Sequence, residues 1–204
     1  LLSTIFLPCS LHAQGQFTSQ VYAEGFDQVI GITFDANGRM FVWEKAGRIW
    51  IVEDGKKSSS PFLDISDEVG NWRDFGMLSV ALDPNFLTNG YVYLYYLVDR
   101  HHLLNTGAPA YDPEFNEYFS ASQGRVTRYQ ATALSAYTEV DENSRKVLIG
   151  EEIGEGFPSL HESHMGGSLI FGQDGTLLVT VGDAGSYLSN DQGSAPETYY
   201  AQAL

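Results

Sequence analysis

Short apolar runs separated by turn residues set the pattern of this chain. Residues 30–35 read IGITFD and are followed by Ala36-Asn37-Gly38. RMFVWEK (39–45), Ala46-Gly47 and RIWIVEDG (48–55) come next. Each run is rich in Val, Ile, Phe and Trp and is bounded by residues that favour tight turns, which predicts strand–turn–strand–turn–strand. The unit returns as MLSVALDPNF (77–86), Leu87-Thr88-Asn89-Gly90 and YVYLYYLVD (91–99). Its third strand is GRVTRYQAT (124–132), after an insertion at 100–123. It returns again as GGSLIFGQDGTLLVTVGD (166–183), with Asp174-Gly175 at the hairpin turn. No long stretch sustains a 3.6-residue period, so no long helix is expected.

A strand-rich unit repeating every 40–50 residues or so is the signature of a β-propeller blade. The expected class is all-β. A β-sandwich also combines short strands with tight turns and is the alternative fold. About two and a half blades fit in the chain, whereas a closed propeller has roughly four to eight. Such a stack leaves blade faces uncovered at its two ends.

Charge narrows the function classes. The chain of 204 residues has 26 Asp plus Glu against 11 Lys plus Arg, a formal net charge of −15. That balance is wrong for a nucleic-acid binder, which needs clustered cations on phosphates, and for docking on anionic lipid. Charged residues make up 18% and hydrophobic residues 43%, so this is not a disordered acidic tail. The first residue is Leu1, and 1–11 read LLSTIFLPCSL. Residues 1–13 are read as the remnant of a secretory signal, too short to span a bilayer, and the protein is expected to be secreted or periplasmic. Cys9, the single cysteine, falls inside it. Residues 14–204 are expected to be the N-terminal portion of a longer propeller.

Two stretches carry candidate chemistry. The insertion RHHLLNTGAPAYDPEFNEYFSASQ (100–123) mixes aromatics with carboxylates. That mixture suits carbohydrate contact, and equally a surface loop packed on its own rings. On an extended segment His101 and His102 point opposite ways and do not share a metal. The second stretch is FPSLHESHMGG (157–167), leading into a strand, with Gly182-Asp183-Ala184-Gly185 after the next strand. A tight hairpin brings His164 and Asp183 to the same end. A carboxylate beside an imidazole fixes its tautomer and raises its basicity, giving a candidate general-base pair. The plainer reading makes Asp183 a turn cap and His164 a surface residue. His161, Glu162 and His164 are a weaker metal candidate, because H-E-x-H lacks the helical spacing of H-E-x-x-H. No G-x-S-x-G elbow marks a serine nucleophile.

The run HMGGSLIFGQDGTLLVTVGDAG (164–185) resembles the H-x-G-G-x-L-x-F-G-x-D-G-x-L-x-V-x-x-G-D signature of the soluble quinoprotein glucose/sorbosone dehydrogenases. FGMLSVALDPNFLTNGYVYLYY (75–96) and GITFDANGRMFVWEKAGRIWIVEDGK (31–56) resemble two further segments of that family in the right order. The resemblance implies a six-bladed propeller that binds pyrroloquinoline quinone (PQQ) and calcium and oxidises an aldose, passing electrons to an external acceptor. It implies that His164 is the general base and that Asp183 lies near it. Asp74 falls where glucose-oxidising members have a substrate-contacting glutamine. Ser163 replaces an aspartate before the histidine, and Leu188 stands near a polar position. The family's calcium ligands and the basic residues that clamp the quinone come from later blades, so the chain as given is expected neither to bind cofactor nor to turn over. A non-catalytic propeller that binds a protein or glycan partner is the alternative function.

Overall fold

The computed structural model describes residues 17–184. The signal-like residues 1–13, Cys9 and Leu188 lie outside the described residues. Strands dominate, and all pair antiparallel. The first five-stranded sheet is a meander of β1 (Val29–Phe34), β2 (Met40–Glu44) and β3 (Arg48–Glu53). Its fourth position is shared by two short strands, β4 (Lys56–Lys57) and β5 (Leu63–Asp64), both paired with β3.

The second sheet repeats the plan. β6 (Met77–Leu82), β7 (Tyr91–Leu97) and β8 (Ser122–Ala131) form the meander. The edge of β8 is shared by β9 (Val140–Ile149) and β10 (Phe157–Ser159). A third unit begins with the hairpin β11 (Gly167–Phe171) and β12 (Leu177–Val181), in register from Gly167↔Val181 to Phe171↔Leu177. These are two blades of a β-propeller and the start of a third.

The middle blade is buried on both faces, which explains why β7 reads YVYLYYL rather than alternating apolar with polar. Val92, Leu94 and Tyr96 pack toward the first blade with Phe41, Ile49, Phe62 and Val69. Tyr95 and Leu97 pack the other way, toward Trp72, Phe75, Met165 and Leu169. The end sheets show the opposite. Ile30, Ile32 and Phe34 of β1 are exposed at alternate positions, and Ile170, Leu178 and Val181 of the hairpin are exposed as well.

Two short helices depart from the sequence reading. α1 (Phe86–Asn89) closes in a left-handed cap at Gly90. α2 (Arg100–Asn105) opens the insertion, with Asp99 capping the amides of His101 and His102. His101 and His102 therefore sit on a helix, not an extended segment. His101 Nε2 accepts from the Asp112 amide at 3.1 Å, and His102 Nδ1 lies 2.7 Å from the Tyr111 hydroxyl. Both imidazoles tie the insertion to itself.

Candidate active site

The hairpin turn Asp174-Gly175 and the β11–β12 register bring the chain before Gly167 against the chain after Val181. His164 Nδ1 lies 2.9 Å from Asp183 Oδ1. Because an ionised carboxylate only accepts, Nδ1 carries the proton and Nε2 is the basic nitrogen of the ring. Both side chains are about half exposed, 51% and 53%.

The backbone of His164 is held as firmly as its ring. Its amide donates to Asp74 Oδ2 at 2.8 Å, and its carbonyl accepts from Ala184 N at 3.1 Å. Asp74 N in turn donates to the Glu162 carbonyl at 3.2 Å. His164 takes φ 67°, the left-handed region that a non-glycine residue adopts at a cost. A side chain at Gly182 would put its Cβ 2.0 Å from the His164 carbonyl oxygen, so glycine there permits the close approach. Asp74 is thus brought to the pair from 90 residues away, by a contact that no local motif announces.

The surroundings divide into two small cavities. One of about 230 Å³ is lined by Tyr95, Phe157, Met165, Val181 and Asp183. Burial pushes the Tyr95 phenol up to about 12, so it stays protonated at neutral pH and does not compete as a base. The other, about 330 Å³, holds Lys45 and Arg73 beside Asp74, with Ile30, Phe75 and Gly166. Sequence reasoning did not single out Lys45, although it lies within the family-like run 31–56, nor Arg73, just before the run 75–96.

The weaker metal candidate is not assembled. His161 Nδ1 lies 3.2 Å from Ser163 Oγ, Glu162 faces Arg73 at 3.5 Å, and His164 faces Asp183. Among the described residues, no group of three or more His, Cys, Asp or Glu is placed to hold a metal. A larger cavity, about 570 Å³, lies elsewhere, around Glu68, His102, Arg125 and Arg145. Among the described residues, no helix is long and apolar enough to cross a membrane.

Comparisons with known proteins agree with this architecture. The sequence profile of the family described as Glucose / Sorbosone dehydrogenase matches residues 26–198. Human Hedgehog-interacting protein is 28% identical over 179 residues, covering 84% of this chain and 23% of that protein. The HIPL2 protein of Arabidopsis thaliana is 30% identical over 173 residues, covering 74% of this chain and 24% of that protein. The chain thus spans about a quarter of the length of these relatives. The PQQ-bound aldose sugar dehydrogenase of Streptomyces coelicolor superposes with a TM-score of 0.57 at 18% identity, over 86% of this chain and 44% of that one. The apo soluble aldose sugar dehydrogenase of Escherichia coli gives 0.55 at 18%, over 81% and 41%. At these identities the structures speak for the fold, and the profile speaks for descent: the chain belongs to the glucose/sorbosone dehydrogenase family.

Proposed function

We propose that this chain is part of a secreted or periplasmic PQQ-dependent sugar dehydrogenase in which His164 is the general base. The observation that carries the reading is the His164–Asp183 pair, whose 2.9 Å contact fixes the tautomer with Nε2 as proton acceptor. His164 Nε2 takes the proton of the anomeric hydroxyl as the aldose is oxidised to its lactone. Asp183 keeps the ring oriented and stabilises the imidazolium that forms. PQQ, when bound, supplies the acceptor for the hydride leaving the anomeric carbon.

The residues present suit part of such a group. PQQ is a planar, anionic quinone, and the cavity beside Asp74 offers two cations, Lys45 and Arg73, against the apolar walls of Ile30 and Phe75. On an otherwise acidic chain those cations matter, and the family resemblance assigns calcium and further cations to other blades. Asp74 is assigned a sugar contact as well as its bond to the His164 amide. The test is dye reduction by a panel of aldoses with the full-length protein supplied with PQQ and calcium. Sugar-dependent reduction supports the reading, and a protein that takes up the quinone yet oxidises no aldose overturns it.

A pair of substitutions separates the two duties of Asp74. Asp74→Asn keeps an oxygen for the His164 amide but removes the charge. It is expected to raise KM while leaving kcat within about threefold. Asp74→Ala removes the acceptor as well and is expected to lower kcat roughly tenfold in addition, because the base shifts in its mount. Steady-state kinetics of both variants decide this, and equal kcat values for the two exclude the mounting role.

A second reading is a non-catalytic propeller that binds a partner. The relatives named for Hedgehog interaction favour it, as does Ser163 in place of the aspartate before the histidine. The same dye assay separates the two.

A further inference from the structure

We propose that the cavity between the first two blades binds a linear polyamine, at a site separate from the His164 pair. This is the space of about 570 Å³ bounded by the tail of the first blade, α2 and the β8–β9 edge of the second. No residue lining it lines either cavity beside His164. Its volume falls in the usual span of small-molecule sites, roughly 300–1,000 Å³. Six carboxylates line it, Asp64, Asp67, Glu68, Glu142, Glu151 and Glu152, against the two guanidiniums of Arg125 and Arg145. The inference stands on these residues and does not depend on sugar oxidation.

Glu68 supplies the observation that points to a ligand. Its side chain is 5% exposed, and Tyr96, Arg125 and Arg145 all donate to the same oxygen, Oε1. Among the described residues nothing donates to Oε2, so a nearly buried carboxylate lines the cavity with one acceptor open. A buried acceptor without a donor costs free energy until one arrives. Arg125 does not fill the gap, because it spends its other bonds on the Gly150 and Glu151 carbonyls. His102 adds a second acceptor. Its Nδ1 lies 3.1 Å from the Asp67 carbonyl, to which the Tyr111 hydroxyl also donates, at 3.3 Å. A carbonyl only accepts, so Nδ1 carries the proton and Nε2 is left basic. Burial pushes this imidazole below its ordinary value, so at neutral pH it is uncharged and does not repel a cation.

The spread of the charges selects the shape of the ligand. Among the described residues, no three acidic or histidine side chains converge as metal ligands. A compact ion such as calcium therefore meets too few oxygens at any one point. The carboxylates are instead distributed, with Glu68 buried and Glu142, Glu151 and Glu152 exposed. Leu63, Ile65 and Leu103 give the same space apolar walls. An anion is disfavoured by the excess of carboxylates. A linear polyamine carries several ammonium groups spaced along methylene stems. Its inner ammonium has Glu68 Oε2 and His102 Nε2 as acceptors, its stem covers the apolar walls, and its outer ammoniums pair with the exposed carboxylates. A lysine side chain offers the same stem with a single charge, which leaves either the buried or the exposed carboxylates unanswered.

The test is calorimetric titration of the full-length protein with spermidine, N-acetyl-lysine amide and calcium chloride, each alone. Spermidine is expected to bind more tightly than the lysine amide. Glu142→Gln combined with Glu152→Gln, both exposed positions, is expected to weaken spermidine about 3- to 10-fold. Glu114→Gln combined with Glu139→Gln removes the same charge from exposed positions outside the cavity and is expected to change the affinity less than about twofold. Glu68→Gln is expected to weaken spermidine at least about tenfold, with folding checked by circular dichroism. Because Oε1 takes three donors, the new amide group occupies the place of Oε2 and turns a donor toward the ammonium. Equal losses in the two double variants show only the general attraction of a polycation to an acidic chain and overturn the site. Absence of spermidine binding overturns it as well, and so does calcium binding that depends on Glu142 and Glu152 in the same way.

Discussion

His164→Ala is expected to lower kcat for aldose oxidation in the reconstituted full-length protein by about 10²–10⁴-fold, the usual span for removing a general base. The physical ground is the double mounting of this residue. Asp183 holds Nδ1 at 2.9 Å, and Asp74 and Ala184 hold the backbone. A side chain fixed at ring and backbone reaches the proton it abstracts without a further ordering step. Substitution removes the base and leaves the framework, because the ring is half exposed and fills no core space. Quinone uptake, followed by absorbance, is expected to be unchanged, which separates lost chemistry from lost cofactor. Rate recovery on adding imidazole is the matching positive result. Retention of more than about a tenth of kcat shows that another group accepts the proton and overturns the assignment.

The blades were legible because each of their first three strands carries its own signal. Residues 30–55 alternate apolar runs with Asn-Gly and Ala-Gly turns, and the β1–β3 meander follows those runs within a residue or two. The approach of His164 to Asp183 was legible for the same reason, since a hairpin with a tight turn closes its own ends. β9 was not legible. It reads VDENSRKVLI and lies at the sheet edge with most of its residues exposed, so it shows no apolar alternation. β10 holds three residues, one of them Pro158. The helical setting of His101 and His102 escaped because α2 has six residues, too few for a period. Asp74 was singled out only through family resemblance, and its bond to the His164 amide spans 90 residues without a local mark. The Trp72–Phe119 ring contact is likewise a meeting of distant segments, and composition alone left the insertion open between a sugar site and a self-packed loop. The structure shows the self-packing: Tyr111 and Phe115 pack on His101, while Phe119 faces out.

The largest stability effect is expected at Glu68, away from the catalytic pair. This carboxylate is buried between β5 and β6, and its Oε1 accepts from the Tyr96 hydroxyl at 2.6 Å and from Arg145 at 2.8 Å. It also takes a short bond from Arg125, itself buried, and so ties the tail of the first blade to β8 and β9 of the second. Glu68→Ala leaves the Arg125 cation buried without its carboxylate and is expected to cost about 3–5 kcal/mol of stability. Glu68→Gln keeps the shape and one acceptor and is expected to cost less. Burial alone would raise the Glu68 pKa, but the charges of Arg145 and Arg125 and the bonds to Arg145 and Tyr96 outweigh it, holding it below the ordinary 4.5. The folded protein therefore keeps this group ionised more readily than the unfolded chain does. Its contribution is fully present above the unfolded value and is lost as pH falls from about 4.5 through the lower folded value. Denaturant unfolding of the full-length protein and its Glu68→Gln variant from pH 7 to pH 3 reads this directly. The gap between the two is expected to hold steady down to the unfolded value and narrow below it, and a gap that widens on acidification would contradict the depressed pKa.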